Sequence, residues 1–367
     1  MYDSPEITRR IAEWYRTGRV SPFMLELRPT NLCNLKCPSC LARGYPKYTP
    51  GEELSEEDYE RIIDEAAELG VKYVQISGGG EPFVRREKVL AIMRRIKRRG
   101  MAGWVISNGT RFDEEAIEEI VSMKWDTLFL SLDAPDPVVN DYLRSSGGSF
   151  DKLVSAIQLF NSKKEKYGCD VPQVHIGSVL SHYTCRLVGE MIALCAKLAV
   201  GMVTFQPVHT RGDGEGEHLL LTEDDLAALA AQIPHARGLA SEHGIQHNLD
   251  SLDRGLLKNS NNPQSVIIAD ASRFQHHPLL SIPCYFPWFY IGITASGAVG
   301  TCSILDEHTY RGNIRSMSLK EFWTRSHFEE MRSRLQSRQL LPPCQRCVGT
   351  HMIEMRQMRE QLNNIVS

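Results

Sequence analysis

The chain has 367 residues and a mass of 41.5 kDa, which exceeds the usual size of one domain and predicts a large domain with an appendage. Hydrophobic residues make up 42% and charged residues 24% of the sequence, so the composition excludes a disordered or low-complexity protein. The formal charge of −3 argues against a broad surface for nucleic acid or for an anionic membrane.

The sequence shows no secretion signal and no membrane-spanning segment. Its first twenty residues are rich in charge, and the most apolar stretch, 288–299, is too short to cross a bilayer. We therefore expect a cytoplasmic protein, in which thiols stay reduced. Ten cysteines in that compartment require a metal or redox explanation.

Strand and helix patterns alternate through most of the chain. The predicted strands cover 23–27, 73–77, 103–107, 127–131, 173–180 and 202–207. The predicted helices cover 55–69, 87–99, 113–123, 150–167 and 183–198, and a further helix begins at Thr222. Ser55 and Asp113 are predicted helix caps. Six βα units in series predict an α/β fold with a parallel sheet, either barrel-like or doubly wound. The loops at the carboxyl ends of its strands then form the catalytic face.

From residue 281 the pattern changes. A β-hairpin is predicted around Gly297, followed by helices over 318–326 and 327–336 and by a last charged helix from about His351. These elements predict a small α+β extension after the parallel sheet.

Three cysteines follow the first predicted strand. Cys33, Cys37 and Cys40 form a C-x3-C-x2-C triplet, and three thiolates on one loop can hold three irons of a cubane while the fourth iron has no protein ligand. A catalytic metal centre needs such an open position. A structural zinc loop is the alternative, but zinc needs four ligands and no nearby histidine supplies one.

A glycine run adds to this triplet. It comes after the second predicted strand and consists of Gly78, Gly79, Gly80 and Glu81, followed by Pro82. The run resembles the GGE motif of the radical SAM superfamily, and the triplet resembles the cluster-binding cysteines of the same superfamily. The resemblance implies a partial (β/α)6 barrel whose cluster binds S-adenosylmethionine (SAM). It also implies reductive cleavage of SAM to methionine and a 5′-deoxyadenosyl radical that abstracts a substrate hydrogen. Glycines there allow close backbone approach to a bound ligand.

Further cofactor contacts follow from the same resemblance. Asn108, Ser131 and Asp133 end strands on the catalytic face and resemble positions that bind the ribose or the methionine carboxylate. Turn chemistry is the alternative, since Asn-Gly is itself a turn signal. Arg144 can pair with a carboxylate. Ser39 departs from the family, which usually has an aromatic residue before the last cysteine.

A second set of four cysteines lies in the C-terminal part, enough to close a metal site completely. The set comprises Cys284, Cys302, Cys344 and Cys347. A ribbon-like zinc site is the alternative. The spacing resembles the twitch/SPASM extension of radical SAM enzymes. Because the further cysteines of a full SPASM domain do not follow Cys347, the resemblance is to the shorter twitch form and implies one auxiliary 4Fe–4S cluster, ligated by all four cysteines. The predicted cofactors are thus two 4Fe–4S clusters and SAM.

These resemblances divide the chain into predicted segments. The segments are an N-terminal helix or arm (1–20), a radical SAM core (21–210), a bridging segment (211–280), a twitch/SPASM-like domain (281–355) and the end of the C-terminal helix (356–367). The basic stretch 85–99 is either a solvated helix face or a docking site for a flavodoxin- or ferredoxin-type electron donor.

Three classes of function compete. We favour an oxidoreductase or epimerase acting on a small polar metabolite, a carbohydrate or aminocyclitol, because the extension resembles those of aminocyclitol dehydrogenases and sugar-antibiotic epimerases. A maturase of ribosomal peptides is the alternative, disfavoured because about twenty residues before the first strand are too few for a peptide-recognition domain. A non-enzymatic iron–sulfur or zinc protein is the third. No nucleic-acid or membrane partner is expected.

One remaining cysteine has a predicted catalytic role. Cys185 follows the fifth predicted strand, where a helix begins on the catalytic face, and helix N-termini favour thiolate character. An epimerase needs a hydrogen-atom donor, and a thiol is suited to that role. The alternative is that Cys185 packs in the core, as free cysteines usually do.

Overall fold

The structure is a computed structural model that describes residues 4–44, 51–210, 214–250, 252, 263–304, 309–325, 327–347 and 349–367. The chain divides into two compact units. The first contains Met1–Leu27, Gly51–Gln75 and Asn259–Ser367, and the second contains Arg28–Pro50 and Ile76–Lys258. We describe each unit by itself.

The described elements alternate in the first two thirds of the chain. The strands are β1 (Met24–Leu27), β2 (Tyr73–Ile76), β3 (Ala102–Ser107), β4 (Thr127–Ser131), β5 (Gln173–Leu180), β6 (Met202–Pro207), β7 (Gln246–His247), β8 (Tyr290–Ile293), β9 (Ala298–Gly300) and β10 (Tyr310–Asn313). The α-helices are α1 (Pro5–Thr17), α2 (Glu56–Glu68), α3 (Arg86–Arg98), α4 (Glu114–Ser122), α5 (Pro137–Arg144), α6 (Ser149–Tyr167), α7 (Val188–Lys197), α8 (Glu223–Glu242), α9 (Pro263–Ser272), α10 (Phe286–Phe289), α11 (Leu319–Thr324), α12 (His327–Gln336) and α13 (Gly349–Val366).

The second unit is built on parallel strands in the order β3-β4-β5-β6-β7. Ser107 pairs opposite Leu130, and Ser131 pairs opposite Gly177, so these strands end at nearby points. Buried and half-buried residues alternate along β3 and β5, as expected of strands with one face covered by helices. The carboxyl ends of the strands therefore place several loops along one edge.

The first unit joins the N-terminal and C-terminal parts of the chain. Its strand order is β10-β9-β8-β1-β2, with β8 parallel to β1 and antiparallel to β9. Trp14 of α1 lies edge-on against Trp288 of α10, with ring centroids 4.9 Å apart, and Leu362 of α13 belongs to the same buried apolar cluster. This apolar cluster fixes the N-terminal helix to the C-terminal extension.

The predicted α/β class with parallel strands is confirmed, and so are the predicted caps. Ser55 forms a capping box with Asp58, and the Asp113 side chain accepts a hydrogen bond from the Ala116 amide. Thr222 caps α8 in the same way. None of the helices in the described ranges has the length and apolarity needed to cross a membrane. Location in the cell stays a prediction.

The predicted linear division into segments differs from the way the chain packs. Residues 1–27 and 51–75 belong to the same unit as the C-terminal part, because β1 pairs with β8 rather than only with its neighbours in sequence. Residues 211–213, 251 and 253–262 of the predicted bridging segment lie outside the described residues. Its remaining part includes α8 and α9.

Helix α7 begins at Val188 and not near 183 as predicted. The Thr184 hydroxyl donates to the Val179 carbonyl at 2.9 Å and accepts from the Ser181 amide at 2.8 Å. These side-chain bonds hold a turn in place of the first helical turn. Cys185 thus lies in this turn and not at a helix N-terminus.

Candidate functional site

The first cysteine centre is a loop in the second unit. Cys33 is exposed, while Cys37 and Cys40 are half-buried. The Leu35 amide lies 3.4 Å from the Cys33 sulfur, and the Cys40 amide donates to the Cys37 carbonyl at 3.1 Å. A compact loop of this kind presents three thiols near one another with one side open to solvent.

The glycine run packs directly against the residues that precede Cys33. A Cβ added to Gly79 would lie 1.7 Å from the Asn31 side-chain oxygen, and one added to Gly80 would lie 1.9 Å from the Leu32 carbonyl oxygen. The Glu81 amide also donates to that Leu32 carbonyl at 2.8 Å. The glycines are thus required by contact with the cysteine loop, a reason that the sequence interpretation, based on ligand approach, did not anticipate.

The Glu81 carboxylate is fully engaged by the protein. One oxygen accepts from the Phe83 amide and the Ser107 hydroxyl at 3.0 and 2.8 Å, and the other accepts from the Asn108 amide at 2.7 Å. Burial raises the pKa of Glu81, and these hydrogen bonds oppose the rise. Glu81 therefore ties the glycine run to the end of β3, and its predicted contact with SAM stays a prediction.

Asn108 connects the end of β3 to the cysteine loop. Its side-chain amide donates to the Asn34 side-chain oxygen at 3.1 Å, and Asn34 donates in turn to the Thr110 hydroxyl at 2.8 Å. Asn34, one residue after Cys33, was not singled out from the sequence. The proximity of Asn108 to the cysteine loop agrees with its predicted place beside the cofactor, although the ligand contact itself is untested.

Asp133 and Arg144 form a buried ion pair beside Cys37. The Arg144 guanidinium lies 2.8 Å from the Asp133 carboxylate, with side-chain exposures of 13% and 4%. This confirms that Arg144 pairs with a carboxylate. The Asp133 carboxylate also accepts a hydrogen bond from the Val179 amide at 3.0 Å. Ser131, predicted alongside it, is half-buried at the last position of β4.

The same arginine acts on the cysteine loop electrostatically. Burial raises the pKa of the Cys37 thiol, and Arg144 opposes this rise. The Nε atom of Arg144 is buried and has no hydrogen-bond partner within the described residues. The loop thus offers three thiols, and Arg144 offers a positive charge that favours thiolate and an unsatisfied hydrogen-bond donor. This combination fits a cluster with a bound anionic group.

The second cysteine centre is a buried cavity in the first unit. Cys284, Cys302, Cys344 and Cys347 all line this cavity, together with apolar side chains and His351. Burial raises the pKa of Cys284, and Cys302, Cys347 and Cys344 contribute further because their charges act on it. Four thiolates this close in an apolar space need a positive counter-charge, which a cluster supplies.

His351 and Glu354 border this centre from α13. Burial lowers the pKa of His351 to about 4 and raises the pKa of Glu354 to about 8. The His351 Nε2 atom lies 3.2 Å from the Ser303 hydroxyl, next to Cys302. The sequence interpretation missed His351, because its burial beside the cysteines arises only in the folded unit.

No group of three or more His, Cys, Asp or Glu side chains close enough to hold a metal ion occurs in the described ranges. The cysteines of a cubane each bind a different iron atom, so they surround a larger volume than the ligands of a single ion. Both centres are compatible with such a spread arrangement.

Cys185 is completely buried, with 0% exposure. Its sulfur lies 3.5 Å from the Arg186 guanidinium and 3.7 Å from the His182 carbonyl oxygen, and burial raises its pKa to about 11. This is the opposite of the thiolate character expected at a helix N-terminus. The hydrogen-donor role stays a prediction, and the buried position argues against it. Cys195, on α7, is also 0% exposed.

Comparison with known families now bears on both centres. The model of the radical SAM superfamily matches residues 27–177, which include the triplet and the glycine run. The model of an iron–sulfur cluster-binding domain, SPASM, matches residues 284–348, which include all four cysteines of the second centre. The chain carries a radical SAM domain followed by a SPASM domain. The predicted cofactors, two 4Fe–4S clusters and SAM, are confirmed by these two matches.

Two curated relatives are named as a maturase and a peptide cyclase. The chain is 34% identical over 149 residues to the mycofactocin maturase MftC of Mycobacterium tuberculosis, covering 41% of this chain and 37% of that protein. It is 33% identical over 138 residues to the PqqA peptide cyclase of Granulibacter bethesdensis, covering 38% of this chain and 36% of that protein. The chain thus spans little more than a third of the length of these two relatives.

A solved structure supports the fold. Streptococcus suis SuiB bound to its precursor peptide SuiA has a TM-score of 0.65 and 17% identity, and the match covers 89% of this chain and 70% of that chain. At this identity the likeness shows the fold alone. It agrees with the predicted α/β barrel-like fold followed by a C-terminal extension.

The prediction that the substrate is a small polar metabolite was wrong. A small polar metabolite, carbohydrate or aminocyclitol, and the epimerase or oxidoreductase acting on it, were inferred from the spacing of the extension. The curated relatives are a maturase and a peptide cyclase, which favours the alternative of ribosomal peptide modification. The predicted small-molecule partner is corrected with it. Spacing between cluster cysteines describes how a cluster is held and contains no information about the substrate.

Proposed function

We propose that the protein is a radical SAM peptide maturase that oxidises or crosslinks a ribosomally made peptide. The similarity to the mycofactocin maturase and the PqqA peptide cyclase, at 34% and 33% identity, carries this proposal. The matched regions of 149 and 138 residues are long enough to include much of the radical SAM domain. A peptide thereby replaces the small metabolite as substrate.

The residues of the second unit have defined tasks in this proposal. With its cofactors bound, the first centre supplies one electron that cleaves SAM to methionine and a 5′-deoxyadenosyl radical. Cys33, Cys37 and Cys40 hold that cluster. Glu81 and Arg144 fix the loops around it, because Glu81 joins the glycine run to β3 and Arg144 joins α5 to the Asp133 side chain.

The four cysteines of the first unit hold the auxiliary cluster. The apolar side chains that line their cavity limit the access of water to the cluster. The flavodoxin- or ferredoxin-type electron donor remains a proposal. Helix α3, which was considered as its docking site, uses Arg94 and Lys97 in ion pairs with Glu119 and Asp126 at 2.9 and 2.8 Å.

A product assay tests the function. Anaerobically reconstituted protein is incubated with SAM, dithionite and synthetic peptides for the short reading frames encoded beside its gene, and the peptides are analysed by mass spectrometry. We expect one peptide to lose hydrogen in a SAM-dependent manner, and no change with the Cys33→Ala, Cys37→Ala, Cys40→Ala variant. SAM cleavage without modification of any neighbouring peptide, together with turnover of a carbohydrate, would contradict the proposal.

A further inference from the structure

A group of aromatic side chains lies in solvent on the second unit. Tyr142, Tyr183 and His218, here called the tyrosine patch, come from the segments that follow β4, β5 and β6. The Tyr142 and Tyr183 ring centroids are 5.3 Å apart, and the Tyr142 hydroxyl lies 3.2 Å from His218 Nε2. Tyr142 and Tyr183 are 49% and 42% exposed. Clustered aromatic rings in solvent are typical of an interaction surface.

The tyrosine patch rests on an apolar base. Leu143 and Leu219, which follow Tyr142 and His218 in sequence, form one buried cluster with Val208. The His182 amide also donates to the Leu219 carbonyl at 2.9 Å, which joins two of the three segments. The rings are therefore held in place before any partner binds, which lowers the entropy lost on binding.

Aliphatic side chains extend this surface. Val138 lies one helical turn before Tyr142 on the same face of α5 and is 75% exposed. Leu220, two residues after His218, is 43% exposed. The surface thus offers apolar contact on more than one side of the rings.

The surroundings are strongly acidic. Segments 136–142, 181–187 and 214–225 contain seven Asp or Glu residues and one arginine. That arginine, Arg186, is paired with Asp225 at 2.6 Å. Glu217, Glu223 and Asp224 are exposed. Because Glu215 is paired with Arg43 and Asp225 with Arg186, the negative charge that faces a partner comes mainly from these three exposed carboxylates, and the complementary partner is basic.

The tyrosine patch adjoins the first cysteine centre within the same unit. The Cys37 sulfur lies 3.7 Å from the carbonyl oxygen of Arg144, two residues after Tyr142. Gly216, two residues before His218, is so close to the cysteine loop that an added Cβ would lie 3.0 Å from the Pro38 carbonyl oxygen. A partner on the patch would thus be held next to the reacting centre.

We propose that the tyrosine patch binds a basic segment of the substrate peptide. Lysine or arginine side chains stack on Tyr142 and Tyr183, where the ring faces attract cations, and the carboxylates of Glu217 and Asp224 balance their charge. Apolar neighbours in the peptide cover Val138 and Leu220. This inference rests on the proposed function, because it assumes a peptide substrate.

The test measures binding without turnover. The probe is a short fluorescein-labelled peptide of alternating Lys and Phe, and a peptide of alternating Glu and Phe is the comparison. Fluorescence anisotropy measures the binding of each peptide to the reconstituted protein. We expect the Lys–Phe peptide to bind more tightly. Tyr142→Ala with Tyr183→Ala should raise its Kd about tenfold, a loss typical of aromatic anchors. Glu217→Lys with Asp224→Lys should raise the Kd as well, most strongly at low salt.

Matched variants separate this effect from unfolding. Tyr167, on α6 of the same unit, is 44% exposed, so Tyr167→Ala removes an equally exposed ring and should leave the Kd unchanged. Tyr142→Phe with Tyr183→Phe keeps the rings and should keep tight binding. Equal binding of the two peptides, or a wild-type Kd in the double alanine variant, would overturn the inference.

The outcome is distinguishable from failure of the proposed function. If the product assay yields a modified peptide but the patch variants bind the Lys–Phe peptide as tightly as the wild type, this inference alone would be overturned. Patch-dependent binding with no modified peptide in that assay would overturn the proposed maturation and leave a basic-peptide site.

Discussion

The two cysteine centres differ in how their ligands are gathered. The three cysteines of the first lie within residues 33–40, and Cys33 is exposed. The four cysteines of the second come from separated segments and line a cavity among apolar side chains. A loop with three ligands leaves one iron without a protein ligand, so that SAM can bind it, whereas a set of four cysteines closes its cluster. The number of ligands therefore predicts that SAM binds at the first centre and that the second centre holds a closed cluster.

The largest expected effect follows from removing the open centre. Cys33→Ala with Cys37→Ala and Cys40→Ala should abolish 5′-deoxyadenosine formation and leave about half of the iron, because the second centre has its own four ligands. Iron analysis and chromatography of the SAM products measure both quantities. Cys169→Ala, which changes a cysteine outside both centres, is the control and should keep full iron. Retained SAM cleavage in the triple variant would refute the assignment.

Removing the closed centre sharpens the contrast. Cys344→Ala with Cys347→Ala should lose the other half of the iron, about as much as in the first variant, and lower the melting temperature, because the buried cavity loses the cluster that fills it. SAM cleavage should continue, since Cys33, Cys37 and Cys40 are intact. Zinc in the wild-type protein at this centre, found by metal analysis, would instead restore the zinc alternative.

The ion pair beside Cys37 has a smaller expected effect. Asp133→Asn leaves the Arg144 guanidinium buried without its carboxylate and should lower the free energy of unfolding by about 3 kcal/mol. Glu119→Gln is the matched control, because it breaks the exposed pair with Arg94 and should cost about 0.5 kcal/mol. Urea unfolding followed by circular dichroism compares the two. Similar losses would show that burial of the first pair does not matter.

The sequence predicted the ligands of both centres better than their surroundings. Cysteine spacing and the glycine run are local patterns, so the triplet and the four later cysteines were identified without a structure. The parallel pairing of β1 with β8 was missed, because it joins residues more than 260 positions apart and leaves no local pattern. His351 was missed for a related reason, since its burial depends on packing that only the folded first unit provides.

Cys185 shows the limit of reading position from a predicted helix. Its predicted thiolate character depended on a helix that began near residue 183. The Thr184 hydroxyl, bonded to the Ser181 amide and the Val179 carbonyl, instead holds a turn, and α7 begins at Val188. Competition between side-chain and backbone hydrogen bonds decided this boundary, and composition alone does not predict the winner.

The smallest expected effect concerns the loop that supports the open centre. Gly80→Ala places a Cβ 1.9 Å from the Leu32 carbonyl and should lower the free energy of unfolding by about 2 kcal/mol while weakening SAM binding, because the cysteine loop must move. Gly147→Ala is the control, since nothing lies within 4 Å of an added Cβ there. Calorimetry measures both quantities. An unchanged SAM affinity in the Gly80 variant would show that the glycine run does not support the open centre.

The most direct test of the difference between the centres is electron paramagnetic resonance of reduced protein that contains one cluster at a time. In the Cys344→Ala, Cys347→Ala variant only the first cluster remains, and the account predicts that adding SAM changes its spectrum, because SAM binds the open iron. In the Cys33→Ala, Cys37→Ala, Cys40→Ala variant the remaining spectrum should not respond to SAM. A SAM-dependent change at the second cluster, or none at the first, would contradict the account.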